Sequence, residues 1–129
     1  PGEIVVEIRL PGRGEGGGDA YLRSIPRTEM DIAVVGAGAN IVLGPDGTCT
    51  SARIAIGAVA PTVLLVKEAG EALVGTKLDD AALEAMAEAV RGACKPIDDK
   101  RGTVEYRTAM AGVLAKRVVA IARERAGEN

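Results

Sequence analysis

Histidine is missing from this sequence altogether, as are phenylalanine and tryptophan, and the only aromatic side chains are Tyr21 and Tyr106. Without histidine there is no imidazole acid–base catalysis, no Ser-His-Asp triad and no ordinary zinc site. A reaction centre would have to rest on Lys, Asp, Glu, Tyr, Cys or a borrowed cofactor. The shortage of aromatics falls on the core: Val, Ile, Leu and Ala must fill it, so its elements have to approach closely. Cysteine is scarce too. Cys49 and Cys94 sit in different expected elements and read as free thiols rather than a bridge. Neither has Cys or His neighbours at the spacing that iron–sulfur or zinc ligation needs. An excess of one charge is also lacking. The net charge is −2 with both signs interspersed, which gives no electrostatic footprint for nucleic acid or an anionic membrane. No apolar run reaches the roughly 18–20 residues of a membrane span. The opening PGEIVVEIRL has neither the basic region nor the cleavage site of a signal peptide, and it lacks an initiator Met, so the sequence reads as a fragment, a processed chain or a trimmed one.

What is present is a chain of 129 residues, enough for one domain spanning 1–129. Its first half reads as strand. Glu3 to Leu10 alternates, with Ile4, Val6, Ile8 and Leu10 on one face, and predicts a half-buried strand. Pro11 to Gly18 reads as a mobile glycine loop, Ala20 to Ile25 as a short strand ended by Pro26, and Arg27 to Asp31 as a polar turn. Asp31 to Leu43 and Cys49 to Val59 flank the strong turn Gly44-Pro45-Asp46-Gly47 and predict a hairpin. After Pro61 the period changes to 3.6. A first helix is expected over Thr62–Val74, closed by Gly75. A second opens at the N-cap Asp79, with Leu78 stapled onto Leu83, buries Leu83, Met86, Ala87, Val90 and Cys94, and stops at Pro96. A third opens at Thr103, with Tyr106, Met110, Val113, Leu114, Val118 and Ile121 on its buried side, and its tail from Arg123 is expected to fray. Strands followed by a block of helices give an α+β fold: an antiparallel sheet of three to four strands packed against a three-helix layer.

One motif suggests a nucleotide. Asp31 to Asn40, DIAVVGAGAN, looks like the strand-and-glycine entry to a dinucleotide site. That chemistry needs a third glycine and a helix whose N-terminus meets the pyrophosphate. Gly36 and Gly38 match, but the third position is Ile41 and a turn follows. The better reading is that these glycines allow close packing or a bulge in the sheet.

Four stretches, EIVVEIRLP (3–11), AYLRSIPRTEMDIAVV (20–35), GTCTSARIAIGAVAPT (47–62) and PIDDKRGTVEYRTAMAGVLAKR (96–117), together resemble the C-terminal domain of the medium, FAD-carrying subunit of the molybdenum hydroxylases, the carbon monoxide dehydrogenase and xanthine dehydrogenase group. They cover most of the chain, in order. The resemblance implies a domain of a cytoplasmic, multi-subunit oxidoreductase that packs beside an N-terminal FAD-binding domain of the same subunit and helps to close the flavin site. It implies as partners a molybdopterin-containing large subunit and a small subunit with [2Fe-2S] clusters, from which electrons reach FAD and leave to NAD or another acceptor. The missing FAD domain would lie upstream. The substrate is not named by the resemblance.

Tyr21 and Arg23 are the candidate flavin contacts, an aromatic and a cation on a short strand after a flexible loop. The family's usual Tyr-x-Lys reads Tyr21-Leu22-Arg23 here, so a planar fork replaces a point charge. A cation beside the flavin would favour electron density on its reduced form. The bland alternative is a surface tyrosine beside a cation paired with Asp or Glu. Asp98, Asp99, Lys100 and Arg101 form a charge run that reads as a solvated loop, with Asp99 and Arg101 tying it down, or else as a subunit contact. Tyr106 is expected in the core with its hydroxyl satisfied. No residue is expected to be catalytic or to bind metal. The alternative functions are a stand-alone binding or dimerisation module and an independent nucleotide-dependent enzyme built on GAGAN.

Overall fold

The computed structural model describes residues 2–27 and 30–128. Thr28 and Glu29 of the expected polar turn, and Asn129 of the tail, lie outside the described residues. The chain forms β1 (Gly17–Ser24), β2 (Val35–Leu43), β3 (Cys49–Gly57), β4 (Leu64–Leu65), α1 (Lys67–Glu71), α2 (Asp80–Ala93) and α3 (Val104–Gly127). The four strands form one antiparallel meander in the order β1-β2-β3-β4. All helices lie on one side of it. α3 runs over β1 and β2, α1 rests on β3, and α2 packs on α1 and α3. This bears out the α+β architecture.

The hairpin forms because the turn carries its own chemistry. Asp46 accepts the Thr48 N–H at 3.0 Å and the Thr48 hydroxyl at 2.6 Å, and Gly47 has φ +77. Lys77 donates to the Asp46 main-chain carbonyl from across the fold. Both long helices start where their caps stand. Asp79 accepts the Ala82 N–H at 2.9 Å and Thr103 accepts the Tyr106 N–H at 3.1 Å, each cap contributing about 1 kcal/mol.

Four expectations about element boundaries are corrected. Residues 3–10 form no strand here; they carry no regular structure and are exposed. Their pattern is right for a strand, but a strand needs a ladder partner, and none of this domain's strands pairs with them. The glycine loop ends earlier than expected, because Gly17 and Gly18 are buried residues of β1. The segment 62–74 is not one helix. Leu64 and Leu65 pair with Ile56 and Ala55 of β3, Val66 donates to Ile54 O at 2.9 Å, and only then does the short α1 begin. Finally, α3 does not fray at Arg123. It runs to Gly127 because Ala122 and Ala126 are buried against β1, and Arg125 donates to Asp19 O at 2.7 Å.

The core lies between sheet and helices. Val35, Ala37, Ala39 and Ile41 of β2 and Ile54 and Ile56 of β3 meet Ala111, Ala115, Val118, Val119 and Ala122 of α3. The buried stripe of α3 is thus largely alanine, which brings its backbone close to the strands, as the lack of aromatics requires. Tyr106 is displaced from that stripe and is 49% exposed, which corrects its expected place in the core. Cys49 and Cys94 are free, and desolvation raises both thiols above their ordinary range.

Candidate functional site

Alternation along the strands sends one set of side chains to the helices and leaves the other on a bare face. Across that face the register gives three rows. Asp19, Asn40 and Arg53 form the first, Tyr21, Gly38, Ala55 and Leu65 the second, and Arg23, Gly36 and Gly57 the third. Tyr21 and Arg23 therefore share a face, about 7 Å apart along the strand. Tyr21 is 66% exposed, and it lines a shallow depression with Asp19, Asn40, Arg53, Ala55 and Leu65.

The two glycines of the GAGAN motif explain how the tyrosine lies. A Cβ at Gly36 would stand 2.8 Å from Tyr21 Oη, and one at Gly38 3.7 Å from the ring. The ring covers the two glycines in the way an aromatic shields exposed strand backbone. Its other side faces outward. Gly36 and Gly38 are mid-strand residues of β2, paired on both sides, and β2 leads through a tight turn into antiparallel β3. No helix N-terminus follows them, so the packing reading of this motif holds and the dinucleotide reading does not.

Arg23 is exposed, and among the described residues it has no ion-pair partner. The paired surface cation of the bland alternative is thus not what the described residues form. Arg53 stands unpaired on the same face in the same sense, whereas Asp19 pairs with Arg13 of the preceding loop. Asn40 and Arg53 were not singled out from sequence. The signal for them was the hairpin register, which places them opposite each other.

The charge run at 98–101 lies at the edge where β2 begins. Asp98 and Lys100 are exposed, and the other two tie the loop down as expected. Asp99 Oδ1 accepts the Arg101 N–H at 2.8 Å, and the Arg101 guanidinium lies 3.8 Å from Asp31. Arg107 of α3 completes the knot. It is 3% exposed and donates to Val34 O at 3.0 Å, Gly102 O at 3.2 Å and Asp99 Oδ1 at 2.6 Å. The Arg101 N–H, followed by the Arg107 guanidinium, holds the Asp99 carboxyl below its ordinary value of 3.8. The sign follows from linkage. A carboxyl whose folded pKa is depressed adds stability above its unfolded pKa and loses it as pH falls through the folded one. Asp99→Asn is therefore expected to lower stability at neutral pH and to flatten the loss of stability below about pH 4. Denaturant midpoints measured across that range check this; an unchanged acid slope would remove Asp99 from the account.

The fold is thus that of a two-layer domain, an antiparallel sheet with helices on one side and one bare face. Residues 20–122 match the CO dehydrogenase flavoprotein C-terminal domain family, and the chain belongs to that family. The carbon monoxide dehydrogenase medium chain of Afipia carboxidovorans is 42% identical over 129 residues, an alignment covering 98% of this chain and 43% of that relative. The medium chain of Hydrogenophaga pseudoflava is 38% identical over 118 residues, covering 91% of this chain and 40% of the relative. Among solved structures, reconstituted CO dehydrogenase from Oligotropha carboxidovorans superposes with a TM-score of 0.84 at 38% identity, over 90% of this chain and 40% of that one. This chain spans about two fifths of the length of these relatives. The resemblance read from the sequence is borne out, and so is the fold it implied.

Proposed function

We propose that this chain is the C-terminal domain of an FAD-carrying subunit in a multi-subunit molybdenum-containing oxidoreductase of the cytoplasm. It packs beside an N-terminal FAD-binding domain of the same subunit. The larger assembly includes a molybdopterin-containing large subunit and a small subunit with [2Fe-2S] clusters. FAD, when bound, accepts electrons and hands them to an external acceptor. The reaction at molybdenum is not performed by residues of this chain. Among the described residues, no helix is long and apolar enough to cross a membrane.

The observation that carries this reading is the Tyr21 ring, laid over Gly36 and Gly38 on the helix-free face with its outer side exposed. A planar aromatic platform, bordered by small residues, suits a flat tricyclic ring. Arg23 lies one row away on the same face and supplies positive charge; its planar fork suits carbonyl and ring-nitrogen acceptors. Arg53 and Asn40 add a cation and a neutral polar group on the other side of Tyr21. In this arrangement Tyr21 orients the ring and covers it from water, and Arg23 favours the form that carries more negative charge.

The test uses the complete subunit. Arg23→Gln is expected to lower the flavin reduction potential by about 30 mV, roughly a tenfold change in a two-electron equilibrium. Tyr21→Ala is expected to weaken FAD retention about tenfold, about 1.4 kcal/mol. Flavin absorbance during redox titration and FAD content after gel filtration are the readouts. Parental values in both variants would overturn the assignment of this face to the flavin.

A further inference from the structure

We propose that Gly36 is a positioning residue: it sets where the Tyr21 ring lies and leans the phenol toward Arg23. Its effect on a ligand rests on reading this face as the flavin's; its effect on the ring does not. Alternation points position 36 outward, onto the face that no helix covers. Gly36 is nevertheless buried, whereas Gly38 is half-buried and Asn40 exposed. Tyr21 supplies the cover. The three atoms nearest a Cβ built at Gly36 all belong to that one side chain, Oη at 2.8 Å and Cε2 and Cζ at 3.5 Å.

The register shows what this arrangement does. Tyr21 stands directly opposite Gly38, and its diagonal neighbours on β2 are Gly36 and Asn40. Diagonal neighbours are about 7–8 Å apart, within reach of an aromatic side chain. The ring takes the Gly36 diagonal. Gly36 is the ladder partner of Arg23, so the phenol hydroxyl is carried into the arginine's row. Among the described residues neither the hydroxyl nor the Arg23 guanidinium has a hydrogen-bond or ion-pair partner. Both are therefore free to address one polar edge of a flat ligand lying on the ring. Only glycine at 36 permits this. A Cβ there would be closer to Oη than real Cβ contacts come, whereas one at Gly38 would make an ordinary contact at 3.7 Å. The obstructing atom is the far end of an exposed side chain that can turn. An alanine at 36 thus displaces the ring toward Asn40, away from Arg23, and spares the sheet.

Nuclear Overhauser contacts in the 129-residue chain, with FAD absent, test the geometry. The Tyr21 Hε protons are expected to contact the Gly36 Hα protons in the parent, and in Gly36→Ala to lose the Hα contact and gain contacts to Asn40. Gly57→Ala is the matched control. Gly57 is the other ladder partner of Gly36, and a Cβ there would meet only Val63 Cγ2, at 3.8 Å; the parental ring contacts are expected to persist. A ring that stays in place in Gly36→Ala overturns the proposal. On the complete subunit, Gly36→Ala is expected to weaken FAD retention about fivefold, about 1 kcal/mol. In a Tyr21→Phe background the obstructing oxygen is gone and the ring carbons stand at an ordinary 3.5 Å. There the same substitution is expected to change retention less than about twofold. Equal and substantial losses in both backgrounds overturn the proposal, because damage to the strand does not need the hydroxyl. The two readings fail separately: a displaced ring with parental FAD retention supports the role of Gly36 and sinks the flavin assignment, and a fixed ring with lost FAD does the reverse.

Discussion

Gly18→Val is expected to cost at least about 4 kcal/mol and to lower the melting temperature by about 15 °C. Gly18 sits in β1 directly beneath the last turns of α3. A Cβ there would stand 2.0 Å from Ala122 O, 2.6 Å from Ala126 N and 2.9 Å from Ala126 Cβ. The first two are backbone atoms of a helix, so no rotamer change relieves them; α3 has to lift away. Overfilling a packed site costs about 1–3 kcal/mol when side chains can adjust, and valine adds three carbons where they cannot. The loss compares with the whole stability of an ordinary domain, about 5–15 kcal/mol. Lifting α3 would also strip cover from Val35, Ala37 and Ile41, all 0% exposed. Gly92 gives the control. It lies on the exposed side of α2 with nothing within 4 Å of an added Cβ, so Gly92→Ala is expected to stabilise by about 1 kcal/mol through helix propensity alone. Thermal melts followed by circular dichroism measure both. A Gly18→Val protein melting within a few degrees of the parent would mean that α3 does not lie on β1 as described.

The elements visible in the sequence are those whose cause is local. Asp79 and Thr103 cap the helices they were expected to open, and Gly44 to Gly47 make the turn their composition demands. Where a distant partner decides, the sequence misleads. Val63 to Val66 is a short apolar run that suits strand or helix equally. It becomes β4 because Ile54 O and the free edge of β3 lie beside it. Residues 3–10 have a strand's alternation, but none of the described strands pairs with them. In α3, large apolar residues were expected to mark the buried side. Leu114 and Val118 do, but Ala111, Ala115, Ala122 and Ala126 share it, where the strands come close. The candidate site was half legible. Period two puts Tyr21 and Arg23 on one face by inspection. Placing Asn40 and Arg53 beside them requires counting through the hairpin, and the register shift between Val42 and Leu43 spoils that count. Arg107 was not legible at all. Its side chain answers to the main-chain oxygen of Val34, 73 residues away, and a main-chain acceptor leaves no trace in side-chain pattern.

That same arginine carries the second large effect. Arg107→Met is expected to destabilise the chain by about 3 kcal/mol, the cost of withdrawing a buried guanidinium from its hydrogen-bond acceptors. Methionine keeps most of the volume, so cavity formation is not the cause. The cause is that Val34 O loses its guanidinium donor in a buried place, Gly102 O keeps only the Asp99 N–H at 3.3 Å, and Asp99 keeps only Arg101 as a cation. Val34 also donates to Ser24 O at 2.9 Å, which closes the gap between the end of β1 and the start of β2. Arg107 therefore pins the end of the sheet on which Arg23 and Gly36 stand, and its loss is expected to loosen the bare face before it melts the core. Urea titration gives the midpoint, and an unchanged m-value shows that the same surface is exposed on unfolding. The double-mutant cycle with Asp99→Asn separates the ion pair from the main-chain bonds. If Arg107→Met loses under 1 kcal/mol, the three acceptors are being served by something else. Arg107→Lys is the more discriminating variant. Its ammonium can keep the charge opposite Asp99, but it lacks the planar fork needed to reach Val34 O and Gly102 O together. It is expected to recover about half the loss, and with it the slow exchange of amides at the start of β2 only in part.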